Sequence, residues 1–406
     1  MKKTQTTLGM LLLISSTLNA QQNAAPSDAL TEALNEGKVI LNTRLRYGHA
    51  DQEGRDESDA FTARMQLGYQ TSSISGFQAL AELEGTHALN GEEEYNPFPQ
   101  AGKTVIADPE NAELNRLQLA WSGADSKITL GRQRIILDNH RFVGNVGWRQ
   151  NEQTYDGITL SNQSLEDITF YYAWIDQVNR IFGQDAPAGG MKRFHSNTHL
   201  INAAYSGLKI GKLTAYNYHV DLENSAANSS NTFGVSLAGK TTLGDAYSLS
   251  YYGEIAQQSE AGDNATAYDA AYYHINALLS RKPLTFGLGY EVLGSDNGTS
   301  VKTPLATLHK FNGFADVFLS TPADGLQDFY IVGKYALPNN ITLAAFYHDY
   351  ESDAGSMDYG DEWNLVLGYK HNANWSATAK YADYNSGEAG SPASIERLSV
   401  QLDYKF

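Results

Sequence analysis

The chain of 406 residues contains no cysteine, which removes disulfides, thiol nucleophiles and thiolate metal sites from its chemistry. Beyond the first twenty residues it also lacks any apolar run near the roughly 20 residues that a membrane-spanning helix needs, and its mean hydropathy is -0.40. A helical membrane protein is therefore excluded, leaving a water-soluble protein or a β-barrel. Neither a Gly-x-Ser-x-Gly elbow nor a His-Glu-x-x-His zinc motif occurs, so the common sequence signs of a hydrolase are missing. What the chain does have is 25 tyrosines and 36 glycines, a composition that leans towards sheet.

The two ends carry the clearest patterns. Lys2 and Lys3 precede the apolar stretch Leu8 to Ile14 and the small-residue stretch ending Leu18-Asn19-Ala20, the order of an export signal. Residues 1–20 are expected to be removed, with Gln21 first in the mature chain. At the other end Leu398, Val400, Leu402, Tyr404 and Phe406 alternate with Arg397, Ser399, Gln401, Asp403 and Lys405. A strand with one apolar and one polar face, ending on phenylalanine, resembles the closing strand of an outer-membrane barrel, the segment that barrel-assembly machinery would recognise.

The same period-2 alternation recurs from Val39 onward in segments of about 9–11 residues, the length of a tilted membrane strand. It predicts an all-β fold, a closed antiparallel transmembrane β-barrel of about 18 strands over residues 39–406. Short polar turns such as Ser72–Gly76, Ser122–Ser126 and Asn372–Asn374 alternate with longer segments such as Leu89–Glu113, Arg134–Thr154 and Ser295–Gln327. Short turns on the periplasmic side and long loops outside are the barrel arrangement. Residues 21–38 read as a periplasmic lead-in with a short helix over Ser27–Gly37, serving as a capped entry to the first strand, a tether or a partial plug. Tyr47, Trp174, Tyr290, Tyr335, Trp363, Tyr369, Trp375 and Tyr404 fall at strand ends on the apolar parity, where interfacial girdles belong.

The formal charge is -17, but it is unevenly spread. Acidic clusters around Asp51–Asp59, Glu92–Glu94, Asp108–Glu113 and Asp349–Glu362 fall in the expected external loops, as solvated surface or as sites for cations that bridge lipopolysaccharide. Strand parity instead turns Arg44, Arg46, Arg64, Arg116 and Lys380 inward, against inward Glu82, Glu84, Glu254, Glu291 and Asp403. A modest cationic excess in the lumen would favour anions, unless these groups only neutralise one another.

Two long loops are too apolar to be solvated. The first, 134–154, mixes Arg134, Arg141 and Arg149 with Ile135, Phe142 and Trp148; the second, 295–327, contains Pro304 to Pro322, whose apolar spacing predicts a short helix at the mouth. Both are expected to fold inward and narrow the pore. The stretches Gly131 to Gly157 (GRQ, then DNHRFVGNVGWRQNEQTYDG) and Pro304 to Leu319 (PLATLHKFNGFADVFL) resemble the alginate-export family of outer-membrane proteins. That resemblance implies a monomeric 18-stranded barrel with an arginine-lined constriction. Arg132, Arg134, Arg141 and Arg149 would line it, with Asp138 and Asn139 fixing their orientation. The expected function is an outer-membrane channel for polar, preferentially anionic solutes such as acidic saccharides, embedded in lipid and lipopolysaccharide. No cofactor, metal, catalytic residue or nucleic-acid partner is expected. A non-selective diffusion porin is the alternative, and an outer-membrane hydrolase built from scattered residues the more distant one.

Overall fold

The computed structural model describes residues 26–99, 101–187 and 189–406. The expected export signal, residues 1–20, lies outside the described residues. Eighteen long strands follow one another: β1 (Lys38–Gln52), β2 (Ser58–Gln70), β3 (Phe77–Ala88), β4 (Asn111–Gly123), β5 (Ser126–Gln133), β6 (Thr154–Asn162), β7 (Ile168–Asn179), β8 (Arg193–Tyr205), β9 (Lys212–Val220), β10 (Ser230–Leu243), β11 (Tyr247–Glu260), β12 (Asp269–Arg281), β13 (Leu284–Leu293), β14 (Leu326–Leu337), β15 (Ile341–Glu351), β16 (Asp358–Lys370), β17 (Trp375–Ser386) and β18 (Ile395–Lys405). Each pairs antiparallel with its chain neighbours, and β18 returns to β1 over Asn42↔Lys405 to Gln52↔Ile395. The sheet is thus closed, and no edge presents unpaired backbone to lipid.

Alternation decides which side each residue takes. On β1 Arg44 and Arg46 are buried in the interior, whereas Leu45 and Tyr47 are exposed on the outside. The same division holds on β2, with Arg64 and Gln66 inside and Met65 and Leu67 outside, and on β18, where Leu398, Val400 and Leu402 face out. The exterior is therefore an apolar band, edged by exposed Tyr205, Tyr335, Tyr369 and Trp375 towards the short turns and by Tyr47, Tyr290 and Trp363 towards the long loops. A barrel built this way belongs in an outer membrane. The tight end is made by turns such as Ala124-Asp125, where both residues take left-handed φ (47° and 54°), the two-residue connection that matches strand twist.

The lumen is not empty. The loop between β5 and β6 and the loop between β13 and β14 both enter it, and they pair with each other: Gly144 donates to the Leu305 carbonyl (2.9 Å) and Thr307 to the His140 carbonyl (3.1 Å). Leu305, Val143, Ile135 and Phe318 join one buried cluster with wall residues Tyr155, Ile175, Tyr216 and Tyr272. The second loop does not form the expected helix. Among its described residues only the single turn Leu308–Lys310 is helical, because the preceding residues extend to pair with the first loop and Asn312-Gly313 take left-handed φ. The loop between β3 and β4 also reaches inward, which corrects the reading of Asp108 as solvated: it is 1% exposed. Glu362, also read as loop surface, is buried inside β16.

Candidate functional site

A small cavity of about 40 Å³ in the lumen has room for only a few waters. Arg46, Arg149, Lys380 and Arg397 line it against Asp108 and Asp316, with Trp148, His309 and Phe314 as its aromatic walls. Four cations against two carboxylates leave an excess of two positive charges at this point. Above it opens a vestibule of about 740 Å³ that shares Trp148, Arg149, His309, Asp316 and Arg397 with the narrow site.

The site is assembled from three loops and three strands. Arg44 and Arg46 leave β1 on the inward parity and hold the β5–β6 loop by its backbone. Arg44 Nη1 donates to the carbonyls of Gly147 (3.2 Å), Trp148 (2.8 Å) and Arg149 (2.9 Å), while Arg46 Nη2 also reaches Trp148 O. Arg44 Nε also meets Asp403 at 2.7 Å, and Arg46 Nη1 meets Asp108 at 3.2 Å. Trp148 is thereby fixed in the passage. Its indole stacks on the His309 ring (3.2 Å between centroids), and Arg149 lies 4.2 Å from the centroid. Arg149 itself pairs with Asp316 at 2.8 Å.

His309 links the two loops to the wall. Its Nδ1 is 2.8 Å from Asp316 and its Nε2 is 2.9 Å from the Lys380 ammonium, which can only donate. This order requires a neutral imidazole with the proton on Nδ1. Burial agrees, driving the His309 pKa down to about 3. Burial pushes Asp316 the other way, but the His309 ring and the Arg149 and Arg397 guanidiniums more than offset it and hold its carboxyl below the usual range. Asp108 is lowered too: burial works against its charge, and Arg46 and Arg149 outweigh it.

Lys380 and Arg397 differ from the other cations. Among the described residues neither forms an ion pair with a carboxylate. Arg397 donates instead to the carbonyls of Ala315 (2.6 Å) and Val105 (2.9 Å), and both side chains are half-buried.

The residues expected from sequence fall into four places. Arg46 and Arg149 line the small cavity, and Arg44 holds the Gly147–Arg149 backbone beside it. Arg64, Arg116 and Arg134 form a second cluster on the β1–β4 wall: Arg116 pairs with Glu82, Arg134 with Glu82 and Glu152, and Arg64 donates to Asn42 (2.7 Å). Arg141 crosses to the opposite wall, bound to Glu291 at 2.9 Å and Asn312 at 3.1 Å. Arg132 does not enter the lumen. It stays on the outward parity with register partners Leu117 and Asp156, and pairs with Asp156 at 2.7 Å, because the strand runs straight to Gln133. Arg134, one residue past the strand's end, is free to turn inward. Asp138 and Asn139 do not orient arginine side chains either. Asp138 accepts from Asn202 (2.7 Å) and Tyr218 (3.3 Å), and Asn139 bonds Tyr252 (3.1 Å) and caps the Arg141 amide (2.9 Å), anchoring the loop base to the far wall.

No protein-family model matches the chain, and no curated protein does. Solved structures do. The barrel superposes on Acinetobacter baumannii OccAB4 with a TM-score of 0.72 at 15% identity, covering 91% of this chain and 98% of that one. Pseudomonas aeruginosa OpdK, solved with vanillate, gives 0.72 at 16% identity over 92% and 99%. Pseudomonas aeruginosa OccK8 (OprE) gives 0.71 at 14% identity over 92% and 99%. The likeness is one of fold. It is to the Occ outer-membrane channels, whereas nothing found points to the alginate-export proteins.

Lys380, Arg397, His309, Asp316 and Asp108 were not among the expected site residues. Inward parity on β17 marks Lys380, and His309 and Asp316 lie inside the quoted Pro304 to Leu319 stretch. Inward parity on β18 marks Arg397 in the same way, whereas Asp108 has no local signal, since only the inward turn of the β3–β4 loop brings it there.

Proposed function

We propose that this chain is a monomeric outer-membrane channel that passes small polar solutes and favours anions at a constriction around Trp148. The observation that carries the proposal is the pair Lys380 and Arg397, two cations without carboxylate partners in a passage whose other charges are matched. Fixed cations lining a narrow pore favour anion passage. The stack of Trp148 on His309 beside them adds a flat apolar wall, suited to a solute that pairs a carboxylate with a planar or ring face. OpdK, of like fold, was solved with such a molecule. The resemblance of the two loops to alginate-export proteins supports acidic saccharides as cargo. The lumen, occupied by two mutually paired loops, favours monomers and short oligomers over a polymer. Both ring nitrogens of His309 are engaged, Nδ1 by Asp316 and Nε2 by Lys380, so the ring serves as a structural link and not as a base for Ser399, which also lines the cavity.

The test is reversal potential in planar bilayers under a salt gradient. Wild-type protein is expected to favour chloride over potassium, and the Lys380→Met and Arg397→Met double variant to lose most of that preference at 0.1 M salt. Uronate monomers and short oligomers should block wild-type current more than uncharged sugars of equal size. An unchanged reversal potential in the double variant overturns the assignment.

A further inference from the structure

The segment before β1 is a ten-residue helix, α1 (Pro26–Asn35), set at the end of the barrel with short turns. Two contacts fix it there: Ser72 of the β2–β3 turn donates to the Ala33 carbonyl (3.0 Å), and the Tyr69 hydroxyl donates to Leu34 O. Tyr69 follows Met65 and Leu67 on the outward parity of β2, so the helix docks on the lipid side of the rim. Gly37, which joins helix to strand, has no room for a side chain against Tyr69. A short capped entry to the strand would need none of this.

The helix buries Ala33 and half-buries Ala29 against the rim, yet leaves Leu30 53% and Leu34 49% exposed. At about 100° per residue, the two leucines lie on one flank of the docked face, and exposed Asp28 and Glu32 on the other. Leu30 and Leu34 are as exposed as the outward-facing Val39 and Leu67 of the strands beside which the helix docks. An apolar flank and a charged flank are the division by which a helix lies in a membrane interface, and here the charged flank is acidic, so its contact rests on the apolar side alone.

We propose that α1 is an interfacial membrane element, its Leu30–Leu34 flank inserted at the headgroup–acyl boundary of the periplasmic leaflet and its acidic flank in periplasmic water. It is neither a plug nor a free tether. Such a helix anchors the start of β1, the strand on which β18 must close, to the membrane surface. The proposal does not depend on what passes through the lumen.

The absence of cysteine makes the test direct. Single variants Leu30→Cys, Leu34→Cys and Glu32→Cys, with Leu67→Cys as lipid-facing reference, are spin-labelled in the full-length protein and reconstituted in phospholipid bilayers. Collision with oxygen, which concentrates in lipid, is compared with collision with a water-soluble nickel chelate. Labels at 30 and 34 should resemble the label at 67, with an oxygen-to-nickel ratio several-fold above that at 32. Ratios at 30 and 34 equal to that at 32 overturn the proposal. So does shielding of both sites from both reagents, which would mean that other protein covers the flank.

Discussion

At the scale of single residues the lumen sorts its arginines into braces and free charge. Arg141 and Glu291 are each about 2% exposed and bonded at 2.9 Å, so the pair bears on the fold of the loop more than on the solute. Removing one partner of such a pair costs about 3–5 kcal/mol because it strands a buried charge, while replacing both by apolar groups is near neutral. Arg141→Met is therefore expected to lower the temperature of heat modification markedly, and Arg141→Met with Glu291→Met to recover most of the loss; equal loss in both would show that the pair is not the brace. His309 makes a different prediction. Its folded pKa of about 3 lies below the unfolded value near 6.5, so the unfolded chain binds more protons between those pH values. Stability from the neutral ring is intact above that window and is lost as pH falls through it. His309 should add no step to ion selectivity between pH 7 and 5, and in His309→Gln the Lys380 contact should survive at pH 3, where about half of the wild-type rings are protonated and their contact is lost. A selectivity step centred near pH 6.5 in wild type would show that the ring is solvated instead. Parity made Arg44, Arg46 and Lys380 readable from sequence, because alternation fixes a side. The resemblance, not parity, put Arg132 in the lumen: it shares the parity of apolar Ile128 and Leu130 and stays outside with them, and only Arg134, past the strand's end, turns inward.

At the scale of elements, strands were legible and loops were not. A strand's burial pattern repeats every two residues against one environment, so the alternation from Val39 onward marks all eighteen strands to within a few residues. The loop 295–327 carries apolar residues at spacings that fit a helix, but those residues meet a partner 161 positions away in the chain, and that partner takes backbone hydrogen bonds a helix would need. At Gly144 the two loops meet closely: a Cβ there would overlap the Thr307 side chain. Gly144→Val should force the loops apart while leaving the barrel wall intact. Single-channel conductance is expected to rise, and selectivity to fall as Lys380 and Arg397 face a wider passage. Unchanged conductance in a folded variant would mean that the pairing of the loops does not set the width of the pore.

At the scale of the whole molecule two opposite fields act in series. The chain carries 46 acidic and 29 basic residues, a formal charge of -17, yet the constriction has an excess of two positive charges. Exposed acids at Asp51, Glu53, Asp56 and Glu57 crowd one external loop, so an anion meets repulsion before it meets Lys380. The two fields differ in their exposure to salt. External charges in bulk water are screened over about 10 Å at 0.1 M and about 3 Å at 1 M, whereas charges within a narrow low-dielectric passage are screened much less. Replacing those four external acids with Asn and Gln is therefore expected to raise anion preference at 0.1 M and to leave it nearly unchanged at 1 M. The Lys380→Met and Arg397→Met variant should lower it at both concentrations. Measuring all three proteins across that salt range separates the two fields, and an equal effect of the acid replacements at both ends would show that the external acids lie within the selective passage itself.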